Sequence, residues 1–274
     1  MKHFAGRVAL VTGGGAGIGR SIAHAFAREG MDLVIADIDL AAATAVAVEV
    51  EALGRRALPA QVDVADLESV TALAGEVTKA FPAIDILVNN AGVTLRPLRY
   101  FWDSSYADLK WVMDINFWGV VNGLHVFLPG MRDAGGPKHI VNTSSLASFL
   151  DVPGHSIYSA SKGAVDGLSR SLRAELAEHD IGVTLLFPGY FATQIYESEK
   201  RRPAEERSEA REVAAYSGHH HGRSTRPIDI DLVGPMVVEA IMENRPYCFT
   251  HPLPPPAMEQ RFADIRAGYR APAS

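Results

Sequence analysis

The sequence predicts an α/β fold in which helices cover both faces of a doubly wound parallel β-sheet. Short apolar runs alternate with helical stretches of ten or more residues, from Arg7 to about Thr250. A glycine cluster follows the first run directly, and polar residues follow several of the others. This alternation is typical of right-handed β-α-β crossovers, whose ligands bind at the carboxyl ends of the strands.

The predicted elements carry recognisable start and stop signals. Gly54 ends the second helix, Asp66 caps the third, and Pro82 marks where that third helix stops. The strands are expected at Arg7–Thr12, Asp32–Asp37, Ala57–Val62, Ile84–Val88, His139–Thr143, Gly182–Phe187 and Pro246–Thr250. The helices are expected at Ser21–Glu29, Leu40–Leu53, Asp66–Ala80, Ser104–Arg132 with a break near Asn116, Ser156–His179 and Ile228–Glu243. Pro252–Pro256 should end regular structure before a short amphipathic tail.

The glycine cluster predicts a site for a dinucleotide. Residues 13–19 read Gly-Gly-Gly-Ala-Gly-Ile-Gly between a strand and a helix. Missing Cβ atoms let the backbone approach a pyrophosphate, and the helix N-terminus favours its negative charge. The next strand ends in Asp37, eighteen residues after Gly19, which suits a carboxylate that binds ribose hydroxyls. The alternative interpretation is a flexible surface loop, because a lone glycine motif is weak evidence.

Tyr158 and Lys162 predict a proton-transfer site. Residues four apart share one helix face, and a nearby ammonium favours the phenolate, so we expect a lowered Tyr158 pKa. Such a tyrosine can act as a general acid or base near neutral pH. Ser145, thirteen positions earlier, can hold a substrate oxygen facing it. Taken alone, the Tyr-x-x-x-Lys spacing is also common as an ordinary pair on exposed helices.

Composition and charge favour a small-molecule enzyme. The chain has 274 residues, 47% of them hydrophobic, with a formal net charge of −6, which gives no indication of a nucleic-acid partner. Cys248 is the single cysteine, so neither an intramolecular disulfide nor a cysteine metal cluster is expected. We expect no metal at His219–His221, because adjacent side chains alternate faces and ligand-spaced partners are lacking. With no leader at Met1–Phe4 and no long apolar window, we expect a cytoplasmic protein without a membrane span.

Together these motifs resemble the classical short-chain dehydrogenase/reductase family, with a match from about Gly6 to Thr250. The glycine turn with Thr12 corresponds to its cofactor turn, and Asn89-Asn90-Ala91-Gly92 to the motif that steadies the central sheet. Pro188-Gly189 followed by Thr193 corresponds to the segment that contacts the nicotinamide amide. Its catalytic tetrad corresponds to Asn116, Ser145, Tyr158 and Lys162. The resemblance implies a Rossmann fold over residues 1–274 as a single domain, with a small helical substrate lid at 190–222 and a tail at 251–274.

The resemblance also implies NAD as the cofactor. The residues expected to bind it are Gly13, Gly15, Gly17, Ile18, Gly19, Asp37, Ile38, Asp63, Val64, Asn89, Ala91, Gly92, Tyr158, Lys162, Pro188, Gly189 and Thr193. Tyr158 would take the alcohol proton while hydride leaves carbon, and Lys162 would also bond the nicotinamide ribose. Ser145 would hold the substrate oxygen, and Asn116 would anchor a water that relays protons. A homodimer or homotetramer is expected on resemblance alone.

The predicted pocket walls are apolar, which favours a bulky alicyclic or aryl secondary alcohol, or its ketone, as substrate. The expected substrate contacts are Leu146, Phe149, Tyr190, Phe191 and Tyr196, with further apolar surface from Leu95 and Tyr100–Trp102. We expect Arg96 and Arg99 on the surface, although either could pair a substrate carboxylate. The charged run Glu197–Glu212 is interpreted as a solvated helix face. The alternative function is a non-catalytic dinucleotide-sensing or scaffold protein on the same fold.

Overall fold

A single seven-stranded parallel sheet organises the molecule. The computed structural model describes residues 1–191, 194–202, 228–251 and 255–269. The strand order is β3-β2-β1-β4-β5-β6-β7, so the chain starts in the middle of the sheet, builds one half outward and returns to build the other. The strands are β1 Val8–Thr12, β2 Asp32–Asp37, β3 Ala57–Gln61, β4 Ile86–Asn89, β5 Lys138–Thr143, β6 Ile181–Phe187 and β7 Tyr247–Phe249.

Helices cover both faces of this sheet, as the predicted doubly wound fold requires. They are α1 Gly17–Arg28, α2 Leu40–Ala52, α3 Leu67–Ala80, α4 Tyr106–Met113, α5 Gly119–Asp133, α6 Ser156–Glu175, α7 Val233–Met242 and α8 Pro255–Ala267. One apolar core lies between the sheet and α1, α2 and α7, and it includes Phe26 and Ile35. A second core lies between the opposite face and α3, α5 and α6, and it includes Leu87 and Val165.

The topology brings the candidate site residues to one edge of the sheet. β1 pairs with both β2 and β4, with Leu10 opposite Val34 on one side and Leu87 on the other. The order of connection reverses between these neighbours, which opens a crevice at their carboxyl ends. The glycine turn, Asp37 and the loop after β4 all begin at this edge.

Two helical segments differ from the prediction. The stretch before β5 is not broken near Asn116, because a π-helical turn at Asp114–Trp118 joins α4 to α5. Such wide turns often mark functional positions. At the other end of the chain, Pro255 begins α8 rather than ending regular structure. Proline is tolerated in a first helical turn, where its missing N–H has no intrahelical acceptor.

Candidate active site

The glycine turn after β1 is closely packed against the loop after β4. Gly13 has φ +61°, and a Cβ there would lie 2.9 Å from the Ala91 Cα. A Cβ on Gly19 would lie 2.1 Å from the Gly13 carbonyl oxygen, so no side chain fits at either position. The Asn90 side-chain amide donates to the Thr12 and Gly13 carbonyls at 3.0 and 3.2 Å. The turn is therefore held open toward the N-terminus of α1, a shape that fits a pyrophosphate.

Asp37 is fixed at the end of β2. Its side chain is 6% exposed, and Oδ2 accepts a hydrogen bond from the Gly15 backbone N–H at 2.9 Å. Oδ1 accepts from the Asp39 backbone N–H at 3.1 Å. Ile38 beside it is exposed. These contacts place a carboxylate against the glycine turn, which fits the ribose end of a dinucleotide.

Three other predicted cofactor residues have structural roles for their side chains. The Asn89 amide is buried and donates to the Asn142 Oδ1 at 2.9 Å, which ties β4 to β5. The Asp63 carboxylate accepts from the Ala65 backbone N–H at 2.9 Å. Val64 is buried, and its carbonyl accepts from Asn122 at 2.9 Å. Any cofactor contact from Asn89 is therefore expected from its backbone rather than its amide.

Helix α6 and the segment after β5 bring together three of the four tetrad residues. Ser145 caps the short 3-10 helix Leu146–Ser148, and its side chain is hydrogen-bonded to Tyr158. The Lys162 Nζ lies 5.8 Å from the centre of the Tyr158 ring and donates to the Thr143 carbonyl at 2.9 Å. The three functional groups converge at the carboxyl end of β5, beside the loop after β4.

The expected effect of Lys162 on the Tyr158 pKa is wrong. Although part of the Tyr158 side chain reaches the surface, burial of the group raises the Tyr158 pKa above its usual value, and the Ser145 hydrogen bond only partly offsets this. Burial also lowers the pKa of Lys162 to about 8, opposed by the negative charge of Asp166. Desolvation is thus the largest influence on both pKa values. In this structure, Tyr158 is a neutral hydroxyl at neutral pH.

Asn116 lies beneath this group, on the π-helical turn. Its side chain is fully buried, and its Oδ1 accepts from the Val93 backbone N–H at 2.8 Å. Its amide donates to the Val93 carbonyl and to the Ser161 hydroxyl, at 3.0 and 3.1 Å. A Cβ on Gly92 would lie 3.2 Å from the Asn116 Oδ1 and 3.4 Å from the Lys162 Nζ. Asn116 and Gly92 therefore fix the loop after β4 directly over the lysine.

Asp166 is a neighbour of the site that the sequence analysis did not identify. It lies one turn after Lys162 on α6, with its carboxylate beside the Ser144 and Ser148 hydroxyls. Burial raises the pKa of Asp166, while these hydroxyls, Arg170 and Lys162 oppose that increase. The Ser144 hydroxyl also donates to the Lys162 carbonyl at 3.3 Å. The spacing of four residues between Lys162 and Asp166 was the available signal.

The predicted substrate contacts divide into two groups. Tyr190 and Tyr196 lie together, with ring centres 5.7 Å apart. Leu146 is buried, and Phe149 packs against Phe187 with ring centres 4.9 Å apart. Phe191 differs from the prediction, because it is 4% exposed in the core beneath α1 and α7.

The loop segments on either side show further differences. Phe101 and Trp102, expected among the apolar walls, are 58% and 78% exposed. After β6, the Pro188 carbonyl accepts from Leu146 N–H at 3.1 Å. The Gly189 N–H donates to the Thr250 hydroxyl at 3.1 Å. Thr193, part of the same predicted motif, lies outside the described residues, as do His219–His221 and the lid beyond residue 202.

The surface location expected for Arg99 is wrong, as is the solvated face expected for part of the charged run. Arg99 is 3% exposed, and its guanidinium pairs with Asp108 at 2.7 Å and with Glu199 at 2.9 Å. Arg202 is fully buried, also pairs with Asp108, and lies over the Trp111 ring. We call these four charged residues the lid cluster, since they join the 3-10 helix Gln194–Arg201 and the residue after it to α4.

The described residues offer neither a metal cluster nor a membrane-spanning helix. Among residues 1–191, 194–202, 228–251 and 255–269, no three histidine, cysteine or acidic side chains cluster as metal ligands would. No helix in that part of the chain combines the length and the apolar character needed to cross a membrane.

Known proteins resemble this chain over nearly its whole length. A family model described as short chain dehydrogenase matches residues 7–204. A short-chain dehydrogenase/reductase from Burkholderia phymatum, solved in complex with NAD, is 35% identical with a TM-score of 0.90, and the alignment covers 100% of both chains. A C alpha-dehydrogenase from Sphingobium sp. is 31% identical over 273 residues, spanning 97% of this chain and 87% of that protein. A CLA biosynthesis dehydrogenase/reductase from Lactiplantibacillus plantarum is 32% identical over 273 residues, spanning 97% of this chain and 95% of that protein.

Proposed function

The chain belongs to the short-chain dehydrogenase/reductase family, and on that basis we propose that it is an NAD-dependent enzyme acting on secondary alcohols and their ketones. The observation that carries the proposal is the convergence of Ser145, Tyr158 and Lys162 beside the loop after β4. A scaffold or sensor protein would not need a hydroxyl pair backed by a buried lysine. The Burkholderia relative, similar over the full chain, was solved with NAD.

NAD would be held by the glycine turn, by Asp37 and by the loop after β4. The turn has the tight backbone that a pyrophosphate needs, and Asp37 offers a fixed carboxylate for ribose hydroxyls. When bound, the cofactor supplies the hydride acceptor in oxidation and the hydride donor in reduction. The protein supplies placement and the proton.

Tyr158 is proposed as the group that exchanges the proton with the substrate oxygen. Because burial raises its pKa, the hydroxyl keeps its proton at neutral pH and can donate it to a ketone oxygen during reduction. The Ser145 hydroxyl, already bonded to Tyr158, can hold the same substrate oxygen and stabilise the charge that develops on it. In oxidation, Tyr158 takes the alcohol proton in the reverse step.

Lys162 is proposed to hold a positive charge behind Tyr158. With a pKa of about 8, it is largely protonated at pH 7, and its position is set by the Thr143 carbonyl. The Asn116 side chain is occupied by Val93 and Ser161, so a relay water at this position would be held by the Asn116 backbone carbonyl. We also propose a homodimer or homotetramer in the cytoplasm, as the resemblance implies.

The substrate is proposed to be a bulky alicyclic or aryl secondary alcohol or its ketone. Support comes from the Tyr190–Tyr196 ring pair, which lies close to Tyr158. Each methylene removed from water by such walls adds about 0.8 kcal/mol of binding free energy. A polyol would gain little from the same surface.

The experiment measures NADH formation at 340 nm from NAD with 1-phenylethanol, cyclohexanol and 2-propanol. We expect the two bulky alcohols to exceed 2-propanol by about a hundredfold or more in kcat/KM, since several methylenes or a ring are buried. The Tyr158→Phe variant is the matched control, and it should bind NADH while turning over none of the alcohols at a comparable rate. Best activity on small polyols would contradict the proposed pocket. Absence of NAD-dependent turnover with every alcohol and ketone would contradict the proposed reaction.

A further inference from the structure

Arg96 is a partly buried cation in the loop that follows β4. Its guanidinium carbon lies 4.4 Å from the centre of the Tyr196 ring, and the two side chains share a hydrogen bond. Its Nε is buried without a hydrogen-bond partner in the described part of the chain. Within that part, no carboxylate is placed to form an ion pair with Arg96, whereas Arg99 is bonded to both Asp108 and Glu199.

The position of Arg96 is next to the proposed proton-transfer site. Tyr158 is close enough to Tyr196 to contribute to the raised pKa of Tyr196. The His155 ring contacts the Tyr158 ring edge to face, with centres 5.8 Å apart. Burial lowers the pKa of His155 to about 4, and the positive charge of Arg96 is the second contribution to this shift. Arg96 therefore lies close enough to act on His155. His155 and Tyr196 are thus neighbours of Tyr158, and Arg96 interacts with both of them.

Of the three residues Arg96, His155 and Tyr196, only Arg96 is charged at pH 7. His155 is neutral at pH 7, and burial raises the pKa of Tyr196 to about 12, so that hydroxyl is neutral too. Tyr196 contacts the Arg96 guanidinium, but Nε lacks a hydrogen-bond partner and no carboxylate of the described residues neutralises its charge, which is costly for a partly buried cation. A ligand carrying one negative charge would supply the counter-ion that the described residues do not provide for Arg96.

We propose that Arg96 binds a carboxylate of the substrate, so that the preferred substrate joins a secondary alcohol or ketone to an apolar body that ends in a carboxylate. This inference rests on the proposed function, because it names the substrate class of the same site. The planar guanidinium presents paired N–H donors that match the two oxygens of a carboxylate. A single arginine beside two neutral groups favours a monoanion over a doubly charged phosphate.

The test compares acids with their neutral esters. The probes are 4-(1-hydroxyethyl)benzoate, 3-(1-hydroxyethyl)benzoate and the methyl ester of each, oxidised with NAD by the full-length enzyme. For the wild type, we expect at least one acid to exceed its ester by about tenfold or more in kcat/KM, mainly through a lower KM. Arg96→Gln should reduce kcat/KM for that acid by about ten- to a hundredfold, the range for a hydrogen bond to a charged group. The ester should change by less than about threefold.

Arg132→Gln is the matched control. Arg132 carries the same charge but is 53% exposed, and the structure shows it paired with the neighbouring Asp133. It should leave both kcat/KM values unchanged. Equal losses on acid and ester in Arg96→Gln would overturn the inference, since Arg96 would then merely support Tyr196. Equal wild-type kcat/KM for the acid and its ester at both ring positions would overturn the inference as well.

A binding measurement separates this inference from the proposed reaction. Calorimetry is run with 4-acetylbenzoate and its methyl ester on wild type and Arg96→Gln. Binding of the acid that depends on Arg96 supports the carboxylate site even if no alcohol is oxidised, in which case only the proposed reaction fails. Turnover of the esters without any Arg96-dependent preference for acids leaves the reaction intact and rejects the carboxylate site.

Discussion

Replacement of Asp37 by serine should weaken the preference of the enzyme for NAD over NADP. A 2′-phosphate would bring its negative charge to within about 5 Å of the Asp37 carboxylate. At an effective dielectric constant of ~20, each such pair of charges costs about 3 kcal/mol. That free energy corresponds to roughly a hundredfold or more, so the wild type should favour NAD by at least ~100-fold in kcat/KM.

The structure gives the carboxylate little freedom to avoid this repulsion. Both of its oxygens are held by backbone N–H groups, from Gly15 and from Asp39. Arg20, near the start of α1, is bonded to Glu49 at 2.8 and 3.1 Å and so is engaged elsewhere. The repulsion therefore has no nearby compensation, and Asp37→Ser should lower the preference by at least ~10-fold.

The assay measures kcat/KM for both cofactors with one alcohol held at saturation. Asp39→Ser is the matched control. Asp39 lies two residues after Asp37, carries the same charge, is exposed and caps α2. This variant should leave the cofactor ratio unchanged. Thermal unfolding of each variant checks that loss of the Gly15 contact has not unfolded the turn. Equal wild-type efficiency with NAD and NADP, or an equal effect of the Asp39 variant, would refute the reasoning.

Three further predictions concern proton transfer and buried charge. Tyr158→Phe should reduce kcat by ~100-fold or more with NADH binding retained, in stopped-flow and fluorescence measurements, because it removes only the acid/base hydroxyl. The pKa of Lys162 is about 8 when folded and ~10.4 when unfolded, so the unfolded chain holds this proton more strongly. Wild type should therefore gain about 2 kcal/mol of unfolding free energy relative to Lys162→Met as pH rises from 8 to 10, measured in urea; a constant difference would contradict this. Asp108→Asn should lower the free energy of unfolding by about 3 kcal/mol, because it leaves the buried Arg99 and Arg202 guanidinium groups with too little negative charge. Asp133→Asn is the control: Asp133 is 70% exposed, and its replacement should lower the free energy of unfolding by less than ~0.5 kcal/mol.

Most of the sheet could be predicted because its signals are local. The strand Asp32–Asp37 has the predicted bounds, since a run of apolar residues between Gly30 and a helix cap leaves little choice. Asp66 caps α3 as expected, with its carboxylate accepting from the Glu68 N–H. The rule that ligands bind at the carboxyl ends of parallel strands then predicts that the glycine turn and Asp37 share one edge of the sheet.

The lid cluster could not be predicted, because its partners are far apart in sequence. Arg202 and Asp108 are separated by 94 positions, and Arg99 and Glu199 by 100. Read locally, a charged side chain such as any of these four indicates exposure. Only the fold brings two cations and two anions together, where each neutralises a charge that would otherwise be costly to bury. The sequence therefore indicates the charge of such residues correctly and their burial wrongly.

The Tyr158 pKa shows the same limit within the candidate site itself. The spacing to Lys162 correctly predicts that the two residues share one face of α6, and it gives the sign of their attraction. It does not reveal how deeply the groups are buried, and burial favours the neutral form of both. The Lys162 ammonium donates a hydrogen bond to the Thr143 carbonyl, and the Tyr158 hydroxyl is hydrogen-bonded to the Ser145 side chain. The helix spacing therefore predicts which groups meet, whereas their protonation depends on burial that only the fold determines.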